Sequence, residues 1–170
     1  RDPFRLACQA QVADAGAALR FVPLSRRPQI LMPEPEPPTE LDPLVKREGD
    51  AVGYGGELLD QYRGRILGLA LDLGTTTLVL ELVDLESGRV LGARSCENPQ
   101  RFGGSDVMNR ISYDAGPYRG ELHQAVIKAV NRLARQLCRE QGAVRRQVYE
   151  LVVAGNATMR DLFFGLDVQS

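Results

Sequence analysis

The stretch that decides the fold is ILGLALDLGTTTLVLELV, residues 66–83. Two apolar segments of strand length flank Gly74-Thr75-Thr76-Thr77, which predicts a hairpin of two buried β-strands. A glycine lets the backbone turn sharply and leaves room for a ligand close to it. The three threonines add backbone amides and hydroxyls, which together can bind phosphate oxygens. The hairpin turn is therefore a candidate phosphate-binding site.

Asp72 lies at the end of the first strand of this hairpin, beside the turn. An ionised carboxylate is repelled by phosphates unless a cation lies between them, so Asp72 is a candidate ligand of Mg²⁺, directly or through water. The alternative is an ordinary hairpin in which the aspartate and threonine side chains make turn hydrogen bonds. For Thr77, strand alternation leaves a further alternative, in which its side chain points into the sheet.

The composition limits the classes of protein to consider. The chain has 170 residues, of which 44% are hydrophobic and 25% are charged, a balance typical of a soluble globular protein. With a net charge of −1 and no basic stripe, nothing predicts nucleic-acid binding. No apolar run approaches the length of a membrane span, about 18 residues. Three widely spaced cysteines do not form a disulfide framework, which favours a reducing cytoplasm.

Proline content divides the chain. Residues 23–43 hold seven of its ten prolines, and since proline lacks an N–H and fixes φ, we expect a semi-rigid linker there. Residues 44–64 are polar and contain several glycines, so we expect mostly irregular chain with a short strand or turn near residues 58–59. A compact α/β domain is expected at residues 65–170. The sequence begins abruptly with Arg1, and we expect it to be a piece of a larger protein.

Patterns beyond the hairpin complete the α/β domain. Residues 89–95 predict a third strand, which gives an antiparallel meander. Residues 148–154 predict a fourth strand, apolar enough to be central and buried on both faces. A short helix is expected to start near Asp106, a long helix to cover residues 118–141 and a final helix residues 157–164. The apolar stripes that face the sheet would be Val107, Met108 and Ile111 in the short helix, and Leu122, Val126, Ala129, Val130, Leu133 and Leu137 in the long one.

Gly155 and Asn156 follow the fourth strand, and ligands of α/β proteins often bind where such strands end. Both residues are therefore included in the candidate nucleotide site; the alternative is a turn in which Asn156 caps the final helix. Asp106 is interpreted either as a helix cap or as a residue that faces the cleft. Arg101 and Arg110 either bind an anion or belong to a solvated face. No residue is identified as catalytic.

The order of these elements, with the Asp-x-Gly-Thr-Thr motif at residues 72–76, resembles the first lobe of the actin-like ATPase fold. That resemblance implies a ribonuclease H-like sheet of three antiparallel strands and a parallel fourth, with helices packed on it. In this superfamily, which includes sugar kinases, actin and heat-shock ATPases, two lobes close over ATP and the turn grips its phosphates. The resemblance covers residues 65–170, which correspond to one lobe, so we expect the second lobe to be absent from these 170 residues.

A narrower resemblance is carried by ENPQRFGGSDVMNRISY, residues 97–113, and VVAGNATMRDLFFGLD, residues 152–167. Both are similar to segments of the ATP-dependent reductive activators of corrinoid proteins, which join a plant-type ferredoxin to an actin-like ATPase domain. The sequence RLACQ, residues 5–9, resembles the last cysteine motif of that ferredoxin. The resemblance implies that residues 1–22 are a ferredoxin remnant and that Cys8 is the fourth ligand of a [2Fe–2S] cluster.

The family resemblance also implies a function for the intact protein. An electron would pass from a [2Fe–2S] cluster to the cobalt of a corrinoid protein or corrinoid methyltransferase, driven by ATP and Mg²⁺. This fragment alone is expected to be inactive and to bind neither the cluster nor ATP. The alternative functions are a small-molecule kinase of the sugar-kinase type and a non-enzymatic assembly module. A homodimer is included among the candidate assemblies. We expect Cys96 and Cys138 to be buried or half-buried thiols, and His123 to be a surface or edge histidine.

Overall fold

The computed structural model describes residues 41–168. The predicted ferredoxin remnant, most of the predicted linker and Cys8 lie outside the described residues. A 3-10 turn at Pro99–Gly103 and another at Arg145–Gln147 connect some of the larger elements. Within the described part, the strands and helices are β1 Val45–Glu48, β2 Ala51–Tyr54, β3 Glu57–Gln61, β4 Leu67–Leu73, β5 Thr77–Asp84, β6 Val90–Glu97, α1 Val107–Asp114, α2 Glu121–Glu140, β7 Val148–Gly155 and α3 Ala157–Phe164.

A four-stranded sheet in the order β6-β5-β4-β7 forms the centre of the domain. β4 and β5 are antiparallel and pair from Leu67 opposite Asp84 to Leu73 opposite Leu78, which confirms the predicted hairpin. β6 continues the antiparallel meander, and β7 pairs with β4 in parallel. A parallel neighbour requires a long crossover, which α2 provides. Three antiparallel strands with a parallel fourth confirm the predicted α/β fold class.

One face of this sheet is covered by helices because leucine alternates along its two inner strands. The odd-numbered leucines of β4 and the even-numbered leucines of β5 are buried in one core cluster, together with much of the apolar face of α2. All six residues that the sequence predicted for the stripe of the long helix are buried. The predicted helix and its stripe are therefore confirmed, with the helix beginning at Glu121.

Residues 44–64 are not mostly irregular, and that expectation is wrong. They form a second, antiparallel sheet in the order β1-β2-β3. Gly49 closes the β1–β2 turn with a φ of 64°, the left-handed conformation that glycine adopts at little cost. Val45 and Val52 pack with Ile66 in a small separate core. None of these three strands alternates strictly between apolar and polar residues, so hydrophobic periodicity does not identify them.

The expectation that β7 is central and buried on both faces is wrong within residues 41–168. β7 forms the edge of the described sheet beyond β4. Leu151 is 42% exposed and Val152 is 58% exposed. An apolar strand sequence indicates that both faces suit burial, but it does not specify which neighbour covers them.

α1 begins at Val107, as predicted, but buries a different face from the predicted one. Met108 is 70% exposed, and Ile111 is half-buried. The buried residues of α1 are Arg110 and Asp114. Hydropathy cannot identify such a face, because these polar side chains are buried through hydrogen bonds rather than through apolar transfer.

Candidate functional site

The candidate site lies at one edge of the main sheet, where the carboxyl ends of β4 and β7 meet. The two strands are parallel, and Leu73 at the end of β4 pairs with Gly155 at the end of β7. One position earlier, Asp72 pairs with Ala154. This pairing brings the turn of residues 74–77 next to the connection between β7 and α3.

Gly74 closes the turn, because its N–H donates to the carbonyl oxygen of Thr77 over an N···O distance of 3.1 Å. A Cβ atom at position 74 would lie 2.6 Å from that same carbonyl oxygen. Side chains do not come so close to backbone oxygens, so space alone restricts this position to glycine. The geometry therefore requires glycine for a reason within the turn itself. The predicted reason, room for a ligand close to the backbone, stays a prediction.

Three successive carbonyl groups of the turn accept hydrogen bonds from residues outside it. The Gly74 oxygen accepts from Nδ2 of Asn98 at 2.7 Å, and the Thr76 oxygen accepts from the backbone N–H of Asn98 at 2.8 Å. The Thr75 oxygen accepts from Nη2 of Arg110 at 2.6 Å. The orientation of each peptide group in the turn is thereby fixed from the protein side.

The amides of Thr75 and Thr76 point away from these donors. In a planar trans peptide, the C=O of one residue and the N–H of the next point in opposite directions. Holding the carbonyl of Gly74 therefore directs the N–H of Thr75 away from the Asn98 side chain, and the same holds for Thr76 and Arg110. Neither amide donates a hydrogen bond to any partner within residues 41–168. Two adjacent free amides of this kind can bind an oxyanion.

Asn98 is fully buried, and its amide orientation is determined by its partners. Its Oδ1 accepts from the backbone N–H of Gln100 at 2.9 Å, which leaves Nδ2 to donate to Gly74. Gln100 is also fully buried, and its Nε2 donates to the carbonyl of Leu122 in α2 at 3.2 Å. The turn is thus connected through these two side chains to the long helix.

Arg110 is fully buried as well, which contradicts its interpretation as part of a solvated face. Its Nε donates to the carbonyl of Gly104 at 3.1 Å, and Nη1 donates to Sδ of Met159 at 3.1 Å. Burial lowers the pKa of Arg110, and the carboxylate of Asp106 partly opposes this effect. Arginine nevertheless keeps its proton in proteins. No carboxylate within residues 41–168 forms an ion pair with it, so a positive charge lies directly against the turn.

Asp72 is exposed on the face of β4 opposite to the buried leucines. Thr77 lies on this same face, because Leu78 beside it belongs to the core. Within the described part of the chain, neither the Asp72 carboxylate nor any of the three threonine hydroxyls makes a hydrogen bond. The alternative of a hairpin held by turn hydrogen bonds from these side chains is therefore not observed, and the groups are available to a ligand.

Asn156 and Asp106 both cap helices. The Oδ1 atom of Asn156 accepts from the N–H of Met159 at 2.9 Å at the start of α3. The Oδ1 atom of Asp106 accepts from the N–H of Asn109 at 2.9 Å at the start of α1. Gly155 is exposed at the end of β7. The cap thus uses the single side-chain oxygen of Asn156, while Oδ2 of Asp106 also accepts, from Nδ2 of Asn109 at 2.6 Å.

Among the predicted metal ligands, only Asp72 lies in the described residues. Cys96 is half-buried and Cys138 is buried, as expected, and burial raises the pKa of the Cys138 thiol. The half-buried His123 has its Nδ1 atom 2.8 Å from the carbonyl oxygen of Phe163. Within residues 41–168, no three or more His, Cys, Asp or Glu side chains are grouped so that they could hold a metal ion.

None of the helices in residues 41–168 combines the length and the apolar character that a membrane span requires.

Sequence reasoning missed the residues that hold the turn. Asn98 and Gln100 were given no role in the site, and Arg110 was assigned either to anion binding or to a solvated face. Hydrophobic periodicity carries no signal for a buried asparagine or arginine, because their burial depends on partners distant in sequence. The available signal was the density of polar and glycine residues in residues 97–113, the segment that also carries the family resemblance.

The fold and the site together define an α/β unit whose sheet edge carries a glycine–threonine turn suited to an oxyanion. The model of the family described as the RACo middle region matches residues 67–170. This match covers more than half of the chain, and the chain belongs to that family. The resemblance inferred from the sequence is confirmed at this level.

Two similar proteins agree with the family. The corrinoid activation enzyme RamQ of Eubacterium limosum is 36% identical over 105 residues, which cover 60% of this chain and 18% of that protein. The solved structure of a reductive activator for corrinoid, iron-sulfur protein is 41% identical, with a TM-score of 0.62 over 69% of this chain and 20% of that one. The chain therefore spans about a fifth of the length of each relative.

Proposed function

We propose that the chain is part of a longer protein that uses ATP to reactivate corrinoid proteins, and that residues 65–170 belong to the first lobe of its actin-like ATPase domain. In the intact protein, one electron passes from a [2Fe–2S] cluster to the cobalt of a corrinoid protein and takes Co(II) to Co(I). The family membership supports this proposal, as do two relatives whose names specify corrinoid activation and a corrinoid, iron-sulfur protein.

The observation that carries the proposal is the turn of residues 74–77. Several polar groups lie together at the carboxyl ends of β4 and β7. They are two adjacent amides without partners in the described residues, three unbonded hydroxyls and the exposed carboxylate of Asp72. Amides and hydroxyls suit phosphate oxygens, whereas a carboxylate next to phosphate requires a cation between them. In the proposal, Thr75, Thr76 and Thr77 bind phosphates, and Gly155 and Asn156 border the nucleotide.

Asp72 would hold Mg²⁺ in this site, directly or through water. The metal ion would supply positive charge that neutralises phosphate oxygens, and the chain's own contribution is to orient the amides and the carboxylate towards them. Oxygen ligands and bound water are what Mg²⁺ prefers, so an exposed carboxylate with no competing hydrogen bond fits this role.

The electron donor is assigned to residues outside 41–168. A plant-type [2Fe–2S] cluster needs four thiolates, and the described part of the chain holds no suitable group of ligands. In the proposal, Cys8 supplies one thiolate and other cysteines of the longer protein supply the rest. ATP contributes only if the nucleotide binds one conformation of the activator or its corrinoid complex better than another, which makes the reducible state more populated.

The test compares Co(II) reduction with and without ATP in the complete polypeptide that contains these 170 residues. The readout is the absorbance change of a corrinoid protein under a reducing electron donor, with Asp72→Asn as the test variant. Asp50→Asn is the matched control, because Asp50 is an exposed aspartate on the β1–β2 turn, away from the site. We expect ATP to accelerate reduction in the wild type and the control, and Asp72→Asn to abolish most of that acceleration.

Three results would contradict the proposal in different ways. Equal reduction rates with and without ATP would contradict the proposed use of ATP to reactivate corrinoid proteins. Transfer of phosphate from ATP to a sugar or other small molecule would favour the kinase alternative. Full ATP-dependent reduction by Asp72→Asn would leave the function standing and remove the metal-binding role of Asp72.

A further inference from the structure

We propose that Asn98 and Arg110 are positioning residues for the phosphate site. They hold the carbonyl groups of Gly74 and Thr75, so that the amides of Thr75 and Thr76 face the ligand. The inference rests on the proposed function, since it assigns a role towards the same phosphates. It concerns residues that do not touch the ligand themselves and that act through the turn, to which Arg110 adds its positive charge.

A peptide group in a turn needs to be held in this way. Rotation of one peptide plane about its two flanking soft dihedrals exchanges the directions of its carbonyl and its N–H. A flipped Gly74–Thr75 or Thr75–Thr76 peptide would present a carbonyl oxygen to the phosphate instead of an amide. The hydrogen bonds of 2.7 Å and 2.6 Å to Asn98 and Arg110 oppose that flip. A site whose donors are already oriented loses less free energy to ordering when it binds.

The burial of Arg110 is hard to explain by stability alone. A buried guanidinium without a carboxylate partner carries a desolvation cost, and Arg110 forms no ion pair within residues 41–168. Its compensation consists of hydrogen bonds to the carbonyls of Thr75 and Gly104 and a contact with Met159. Hydrogen bonds from a charged donor are stronger than neutral ones. The cation thus holds the turn firmly and adds a positive potential that favours an anion at the turn.

Asn98 fixes the carbonyl of Gly74, and hydrogen bonds in turn fix the Asn98 side chain. Its Oδ1 atom accepts from the N–H of Gln100, which orients the side chain, and both residues are fully buried. Gln100 in turn donates to a carbonyl of α2. These hydrogen bonds therefore position the Gly74 carbonyl relative to α2, and packing in the core fixes the position of α2.

The test uses two neutral variants in the complete polypeptide. Asn98→Ser retains a side-chain oxygen that can accept from Gln100, but the shorter side chain cannot reach Gly74. Arg110→Met keeps the length and apolar contacts of the side chain and removes its charge and donors. The matched controls are Asn131→Ser and Arg132→Met, which change the same residue types on the exposed face of α2.

Isothermal titration calorimetry measures the affinity of each variant for ATP with Mg²⁺ and for adenosine. We expect both test variants to bind ATP about tenfold or more weakly, because each loses the hold on one phosphate-binding amide. Affinity for adenosine, which has no phosphate, is expected to stay within about twofold. The controls are expected to match the wild type for both ligands.

Other outcomes overturn the inference. Wild-type affinity for ATP in both test variants would show that the turn needs neither residue. Equal losses for ATP and adenosine would show a general structural role without specific positioning of the turn. If Arg110→Met does not fold, Asn98→Ser is judged alone by the same two affinities. Failure of the wild type to bind ATP would instead overturn the proposed function, so the two failures are distinguishable.

Discussion

At Gly74, the space available for a side chain bears directly on the proposed binding of phosphate. Its N–H bonds the carbonyl of Thr77, and a Cβ atom at this position would lie 2.6 Å from that oxygen. A side chain would therefore displace the end of the turn, and with it the amides of Thr75 and Thr76.

The substitution Gly74→Ala should reduce ATP affinity of the complete polypeptide by about tenfold or more, since misplaced donors lose their bonds to phosphate. Isothermal titration calorimetry measures the change. Gly116→Ala is the control, because a Cβ atom there would approach its nearest backbone oxygen only to 3.4 Å. Equal affinities of Gly74→Ala and wild type would show that the turn does not bind phosphate.

Asn156 has two interpretations that one pair of substitutions separates. Its Oδ1 atom caps α3 through the N–H of Met159. Asn156→Ala should lower the free energy of unfolding by about 1 kcal/mol, whereas Asn156→Ser should keep most of it, because serine also caps helices. Urea denaturation measures both. A serine variant with wild-type stability but weaker ATP binding would show that the asparagine amide contacts the nucleotide beyond its capping role.

At the scale of the element, α2 shows how a helix follows from its pattern. Its apolar stripe recurs every three or four residues and is buried along its whole length. Leu133 is 3% exposed in the middle of the stripe.

Leu133→Ala should therefore lower the free energy of unfolding by about 3 kcal/mol, through lost transfer free energy and the cavity left behind. The neighbouring Arg132 is exposed, and Arg132→Ala should change stability by less than about 0.5 kcal/mol. Chemical denaturation monitored by circular dichroism compares the two variants. Similar losses for both would contradict the assignment of the buried face.

α1 illustrates the opposite case at the same scale. Its start is determined locally, by the cap at Asp106. Its buried face is determined by what it packs against, since Arg110 is buried only because carbonyls of Thr75 and Gly104 lie within reach. The sequence can thus predict where a helix begins without predicting which of its faces is buried.

At the scale of the whole described unit, a polar contact joins the small sheet to the main one. Asp60 in β3 accepts hydrogen bonds from Arg63, and Tyr149 in β7 donates to it at 3.4 Å. The hydrogen bonds from Arg63, followed by that from the backbone N–H of Gln61, lower the pKa of Asp60 to about 2. Its usual value when unfolded is about 3.9.

This difference predicts a loss of stability in acid. A carboxyl group whose pKa is lower in the folded state stabilises the fold above its unfolded pKa, and the contribution disappears as the pH falls from about 4 through 2. Asp60→Asn should therefore be less stable than the wild type near pH 7 and should show a flatter decline between those values. Urea denaturation at pH 7, 4 and 2.5 measures this, with Asp50→Asn as the control. Parallel declines in Asp60→Asn and wild type would contradict the prediction.

The sequence by itself determined the elements whose information is local. The hairpin at residues 66–83 followed from two leucine-rich strands around a glycine turn, and α2 followed from its apolar periodicity. The sequences of residues 97–113 and 152–167 carried the family resemblance. In the hairpin and in α2, neighbouring residues interact within one strand, turn or helix, so a local sequence pattern is enough to predict the element.

Only the tertiary structure decided which groups support the turn and which strands lie at an edge. Arg110 lies 35 residues from Thr75, and Asn98 lies 24 residues from Gly74, so no local pattern encodes these hydrogen bonds. The edge position of β7 likewise depends on its pairing with β4, a strand distant in sequence. Polar burial and strand order are properties of the assembled chain, because the free energy of each polar group depends on the partners that folding brings to it.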